Sequence, residues 1–231
     1  MKRNRSYQSV GCKVAHYLCS RYRFRILITF LFAALIPGIH GCASRSDTAV
    51  TAFSTGGHTV YHLKPATVSK AGRRAIISAA YDGSVLCHTQ MGKLLWKVKP
   101  GEGFPFDLAV ADIDDDGMDE SLVASSDGSL HSIDHDGKNI WTFKGNTPLY
   151  RVSVAKSHSD TLVILTGGVE RILYALSASG KIISKYEADG VIRLTGSGNI
   201  MGEGQDFTAV ATARSGLSGN YTLRLHRLPG L

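Results

Sequence analysis

The sequence predicts an all-β fold assembled from about four copies of one unit, each 43–45 residues long and made of four antiparallel strands. Three observations carry that expectation. Two segments, YDGSVLCHTQMGKLLWKV from Tyr81 and SDGSLHSIDHDGKNIWTF from Ser126, align without a gap, so that Asp-Gly-Ser and Gly-Lys-x-x-Trp each recur 45 residues apart. A third copy, ILYALSASGKIISKY, follows 43 residues later, with Leu173 on Leu130, Gly180-Lys181 on Gly137-Lys138, and Ser184 in the tryptophan's place. Within each unit apolar and polar residues alternate with period two, and Asp-Gly pairs supply the positive backbone angles of hairpin turns. No stretch after Ile39 has a helical period. Short antiparallel strands in fours, repeated every 44 residues or so, are the signature of β-propeller blades.

The chain begins with a different kind of segment. Residues 1–41 hold seven Lys and Arg and no acidic residue, and they end in the apolar run ILITFLFAALIPGI, Ile26–Ile39. Basic head, short apolar core and small-residue exit describe a secretory signal, because fourteen residues fall short of the roughly 20 that span a bilayer as a helix. The net charge of +7 belongs to this head. Without it 19 basic residues face 19 acidic ones, which removes the composition argument for a nucleic-acid partner. IHGC, Ile39–Cys42, resembles the lipobox of bacterial lipoproteins, although His40 departs from the usual small or aliphatic residue. The resemblance implies lipidation of Cys42 and a membrane held through that lipid; the competing readings are ordinary cleavage that leaves Cys42 a free thiol, and an uncleaved anchor. Residues 42–55 then form a polar tether, and residues 56–231 the repeats.

The repeats divide into units at roughly 58–104, 105–148, 149–193 and 194–231. Turn positions Gly72, Gly117, Asp160 and Gly204 mark them at spacings of 45, 43 and 44 residues, each followed by a β-branched apolar run. Cys87 lies in such a run and reads as a small core residue. The fourth unit stops after YTLRLHRL and lacks its outermost strand, so the propeller is expected to be incomplete unless HTVYHLK, His58–Lys64, closes a small ring beside the last blade. A repeat array with an unpaired end exposes strand edges and is prone to self-association.

One loop is chemically distinct. DIDDDGMDE, Asp112–Glu120, places carboxylates at positions 1, 3, 5 and 9 (Asp112, Asp114, Asp116, Glu120), glycine at 6, and the Met118 carbonyl at 7. Hard cations take six to eight oxygens, and alternate side chains round a glycine turn supply them, so the loop is expected to bind Ca2+. An EF-hand is excluded because its twelfth position is Val123. The first unit carries Thr67, Ser69 and Ala71 at the ligand places, and the fourth Asn199, Met201 and Glu203, so a single loop is equipped. The alternative is a solvated acidic turn.

LHSIDHDGKNIW resembles the repeats of quinoprotein (PQQ-like) propellers, and ADIDDDGMDESLVA resembles FG-GAP and VCBS calcium-loop blades. The first resemblance implies that Trp96 and Trp141 dock between neighbouring blades; the second implies Asp112, Asp114, Asp116, Met118 and Glu120 as ligands. Neither implies catalysis. The nine histidines are scattered, and TGSGNIMGEG lacks the Lys-Ser/Thr ending of a phosphate loop. The leading expectation is an exported, lipid-anchored, non-catalytic propeller at the cell envelope (outer membrane or periplasm if the cell is Gram-negative), binding a protein or a glycan. The alternative is a fragment or accessory of a calcium-dependent polysaccharide-degrading enzyme.

Overall fold

The computed structural model describes residues 52–157, 160–199, 207–213 and 221–227. The expected signal segment, Cys42 and most of the expected tether lie outside them. Among the described residues fifteen strands form four antiparallel sheets, and no helix is long and apolar enough to cross a membrane. Blade 1 is β1 (Val60–Thr67), β2 (Arg74–Ala80), β3 (Val85–Thr89) and β4 (Leu94–Val98). Blade 2 is β5 (Pro105–Ala111), β6 (Glu120–Ser125), β7 (Ser129–Ile133) and β8 (Asn139–Lys144). Blade 3 is β9 (Leu149–Lys156), β10 (Leu162–Gly168), β11 (Ile172–Leu176) and β12 (Ile182–Glu187). Blade 4 contains β13 (Val191–Gly198), β14 (Phe207–Ala213) and β15 (Tyr221–Arg227), paired in that order.

HTVYHLK does not close a ring beside the last blade. It supplies β1, the inner strand of the first sheet, and pairs with β2 from Val60↔Ala80 to Thr67↔Arg74. The inner strands β1, β5, β9 and β13 stand next to one another in chain order, so the sheets radiate from a common axis. The hydrophobic cores lie between blades. Ile77, Val85 and Cys87 of blade 1 meet Leu108, Val123 and Ile133 of blade 2. Leu122 and Leu130 meet Leu149, Ile164 and Leu176 across the second junction. Val163, Leu165 and Leu173 meet Ile192 and Val210 across the third. Sheets packed on both faces explain why β6 and β7 are buried along their whole length, while the outer strand β8 is exposed at alternate residues.

The turn before each outer strand is one recurring device. Gly92, Gly137 and Gly180 each donate their N–H to the carbonyl three residues back (Thr89, Asp134, Ser177) at 2.9–3.0 Å. The side chains of Thr89, Asp134 and Ser177 accept from the N–H of the lysine that follows the glycine. The antiparallel order puts these turns and the β1–β2, β5–β6 and β9–β10 loops at one end of the blades. The Asp-Gly-Ser turns and the beginnings of the inner strands lie at the other.

Candidate functional site

The β5–β6 loop begins where Asp112 leaves the inner strand of blade 2. Its carboxylate folds back over the loop and accepts from the N–H of Asp116 (3.1 Å) and of Gly117 (2.9 Å). Asp114 accepts from Asp116 N–H at 3.3 Å, and Asp116 from Met118 N–H at 2.8 Å. Gly117 takes φ +86°, the left-handed region that makes the sharp turn, and Asp115 takes φ +65°. These bonds draw Asp112, Asp114 and Asp116 together until one carboxylate oxygen of each lies within 4.8 Å of the others. Oxygens bound to one calcium at 2.3–2.6 Å can be no farther apart than about twice that length, so the trio fits a single ion.

Glu120 stands apart from this trio. It is the first residue of β6, buried, and its Oε2 accepts from Ile113 N–H at 3.0 Å. Burial, followed by the like charges of Asp114, Asp116 and Asp112, pushes its carboxyl up to about 7, against the lowering effect of the Ile113 bond. A cation in the loop would relieve that repulsion, so the donor set suits a hard divalent ion. Met118 is buried beside it. A cavity of about 340 Å³ opens at the loop, lined by Asp114, Asp116 and Glu120 on one side and by Asp134, His135 and Lys138 of the β7–β8 turn on the other.

Two further contacts tie this corner of blade 2 to blade 1. Thr67 N–H donates to Asp119 Oδ2 at 2.5 Å and Asp119 N–H donates to the Thr67 carbonyl at 2.8 Å, a two-point clasp. Asp119 occupies none of the expected ligand places of the loop. Trp96 Nε1–H donates to the His135 carbonyl at 2.7 Å, and its ring covers Gly137. Trp141 repeats the arrangement on blade 3, donating to the Ala178 carbonyl at 2.8 Å over Gly180. At blade 1 the ring of Phe53, near the end of the expected tether, covers Gly92 and packs on His88.

Among the described residues three histidines make separate structural contacts. His62 bonds the Phe106 carbonyl at 2.9 Å, His131 Nδ1 lies 3.1 Å from Thr142 Oγ1, and His58 pairs with Asp82 at 2.8 Å. Cys87 is fully buried, and burial pushes its thiol up to about 11. On the axis a second cavity, about 420 Å³, is lined by inner-strand residues that include Lys64, Asp107, Arg151 and Leu194.

The family described as the lambda-carrageenase beta-propeller domain matches residues 75–191, from β2 into β13, with the acidic loop inside. The chain belongs to that family. Among curated proteins this carrageenase-propeller chain is 29% identical over 176 residues to a lambda-carrageenase of Pseudoalteromonas sp, covering 73% of the chain and 18% of the relative. It is 28% identical over 168 residues to the lambda-carrageenase of Pseudoalteromonas carrageenovora, covering 72% of the chain and 17% of the relative. The chain thus spans less than a fifth of these relatives' length. Among solved structures, BBS1N in complex with ARL6DN matches with a TM-score of 0.56 at 15% identity in mercury-soaked crystals, covering 74% of this chain and 53% of that one. The lead-soaked form gives 0.55 at 13%, covering 75% and 57%. At such identities the likeness concerns the β-propeller fold alone.

Proposed function

We propose that this chain is a non-catalytic carrageenan-binding propeller, exported and held at the cell envelope through a lipid on Cys42, with one calcium ion in the Asp112–Glu120 loop. The observation that carries the reading is the family match across the blades at 75–191, in a segment corresponding to less than a fifth of the relatives named for their action on lambda-carrageenan. On this reading the module holds the polymer while other parts of such enzymes cut it. Affinity electrophoresis tests this: migration of the chain is retarded in gels containing lambda-carrageenan and not in gels containing a neutral galactan. Equal migration in all gels overturns the reading. Release of reducing ends from carrageenan by the chain alone favours the second reading, a part of the degrading machinery itself, which the relatives' names support.

The calcium has a structural role. Asp112, Asp114 and Asp116 supply oxygens from one loop, with Glu120 buried behind them and the Met118 carbonyl as the further donor expected from the FG-GAP-like pattern. The Asp119–Thr67 clasp and the Trp96 bond to the β7–β8 turn place this loop at the blade 1–blade 2 junction. Saturation at a hundredfold the dissociation constant adds about 2.7 kcal/mol, equivalent to roughly 5–10 °C in Tm for a domain of this size. Melts in millimolar calcium and in chelator are expected to differ by that amount, and Asp114→Ala to abolish the difference. Identical melts would reduce the loop to a solvated turn.

A further inference from the structure

The inner strand of every blade carries a β-bulge at one equivalent place. The register slips between Val60 and His62, Pro105 and Asp107, Leu149 and Arg151, and Ile192 and Leu194. Tyr61, Phe106, Tyr150 and Arg193 are thereby left without a cross-strand partner. Bulges re-aim side chains. Here they align one residue from each blade in a row at the end of the molecule opposite the acidic loop. Phe104 lies 5.0 Å from Tyr61 and 5.3 Å from Phe106, ring centroid to centroid, and Phe106 lies 4.9 Å from Tyr150. Tyr81, from the Asp-Gly-Ser turn of blade 1, joins the row 5.1 Å from Tyr61. Arg193 ends it, its guanidinium 5.1 Å from the centre of the Tyr150 ring.

Packing alone would bury such a row. Tyr61 is instead 46% exposed and Tyr81 55% exposed, with Arg193 open to solvent. The nearby carboxylates are committed: Asp82 to His58 and Ser84, Asp107 to Val152 N–H and Arg151, and Glu102 to Lys99. Arg193 has no carboxylate partner among the described residues, and neither has Lys64, which lines the adjoining axial cavity. The exposed surface therefore combines apolar ring faces with uncompensated positive charge.

We propose that this row is a saccharide platform and that its occupant is an anionic polysaccharide chain. The rings stack on the apolar faces of successive sugars at small entropic cost, since aromatic side chains have few rotamers. The planar guanidinium of Arg193 pairs with an acidic substituent, whose oxygens match its donor fork. The proposal rests on the polysaccharide-binding reading above and assigns that binding to one face.

The test is affinity electrophoresis of the full chain in gels of lambda-carrageenan, of alginate as a carboxylated polymer, and of a neutral galactan. Thermal melts in parallel check the fold. Tyr61→Ala and Tyr81→Ala are expected each to weaken retardation by an anionic gel about tenfold. Arg193→Gln should weaken retardation in the anionic gels only, and the more affected gel tells sulfate from carboxylate as the group recognised. Tyr81 projects from a turn, so its variant should fold; if Tyr61→Ala melts early, Tyr61→Leu keeps the volume and removes the aromatic face. Undiminished carrageenan binding by folded variants overturns the platform and leaves the carrageenan reading standing. Alginate binding that needs the row, without carrageenan binding, supports the platform and removes that reading. Binding to the neutral galactan alone, or to no polymer, overturns the platform.

Discussion

Gly137 and Gly180 are held to glycine by two separate demands. Their φ angles of +85° and +76° lie in the left-handed region, and a Cβ on either would sit 2.8 or 2.7 Å from the tryptophan ring of the preceding blade. Gly72 has a similar φ of +75° but open space around it. Gly180→Ala is expected to lose about 1–3 kcal/mol more than Gly72→Ala in urea denaturation, the overpacking cost at the ring; equal losses would show that the ring gives way freely. His131 sets a pH dependence. Burial, helped by Lys144 and opposed by Asp127, holds its imidazole below the usual range, and its Nε2 has no hydrogen-bond partner in the structure. The unfolded chain takes up a proton at this residue near pH 6.5, before the folded chain does, so stability present above that pH is lost as pH falls. The urea midpoint should drop between pH 7.5 and 5.5, and His131→Gln should lessen the drop; an unchanged drop in the variant would assign it to other groups. The gathering of Asp112, Asp114 and Asp116 was legible because those carboxylates share one loop. Asp119 was not, since its partner Thr67 lies 52 residues away on another blade.

Strand alternation in the sequence marks which neighbour a residue faces, and here it does not mark exposure. His131, Ser132 and Ser121 are as deeply buried as Leu130, because both faces of a middle strand meet another blade. The repeat landmarks 45 and 43 residues apart foretold the blades for the same reason that they persist: each marks a turn or a docking ring. The four bulges left no such mark, because no glycine or proline occupies Tyr61, Phe106, Tyr150 or Arg193, and the slip becomes visible only through its cross-strand partners. Blade 4 joins differently from the others. Ser184 stands where a docking tryptophan would be, and the junction rests on Ile183, Tyr186 and an Arg224–Asp189 ion pair at 2.9 Å. Leu194 and Leu223 are more than half exposed. Amide exchange in β13 and β14 is therefore expected to run ahead of that in β6 and β7 under native conditions. Equal protection would mean that the four sheets open as one unit.

The whole molecule has its two candidate sites at opposite ends of the blades, the acidic loop at one and the aromatic row at the other. Outside residues 1–41 its basic and acidic residues balance, so the proposed attraction to an anionic polymer would depend on where Arg193 and Lys64 stand and not on total charge. The docking rings give the array a direction. Blades 1 and 2 each bear a peg on the fourth strand, Trp96 and Trp141; each following blade bears its socket, at Gly137 and Gly180, and Phe53 fills the first socket at Gly92. A series built this way has a head and a tail. A duplicated unit brings one peg and one socket with it, so it can be spliced between two existing blades without altering either neighbour. Growth and loss of such an array are then single genetic events, and its length is a quantity that lineages can change one blade at a time.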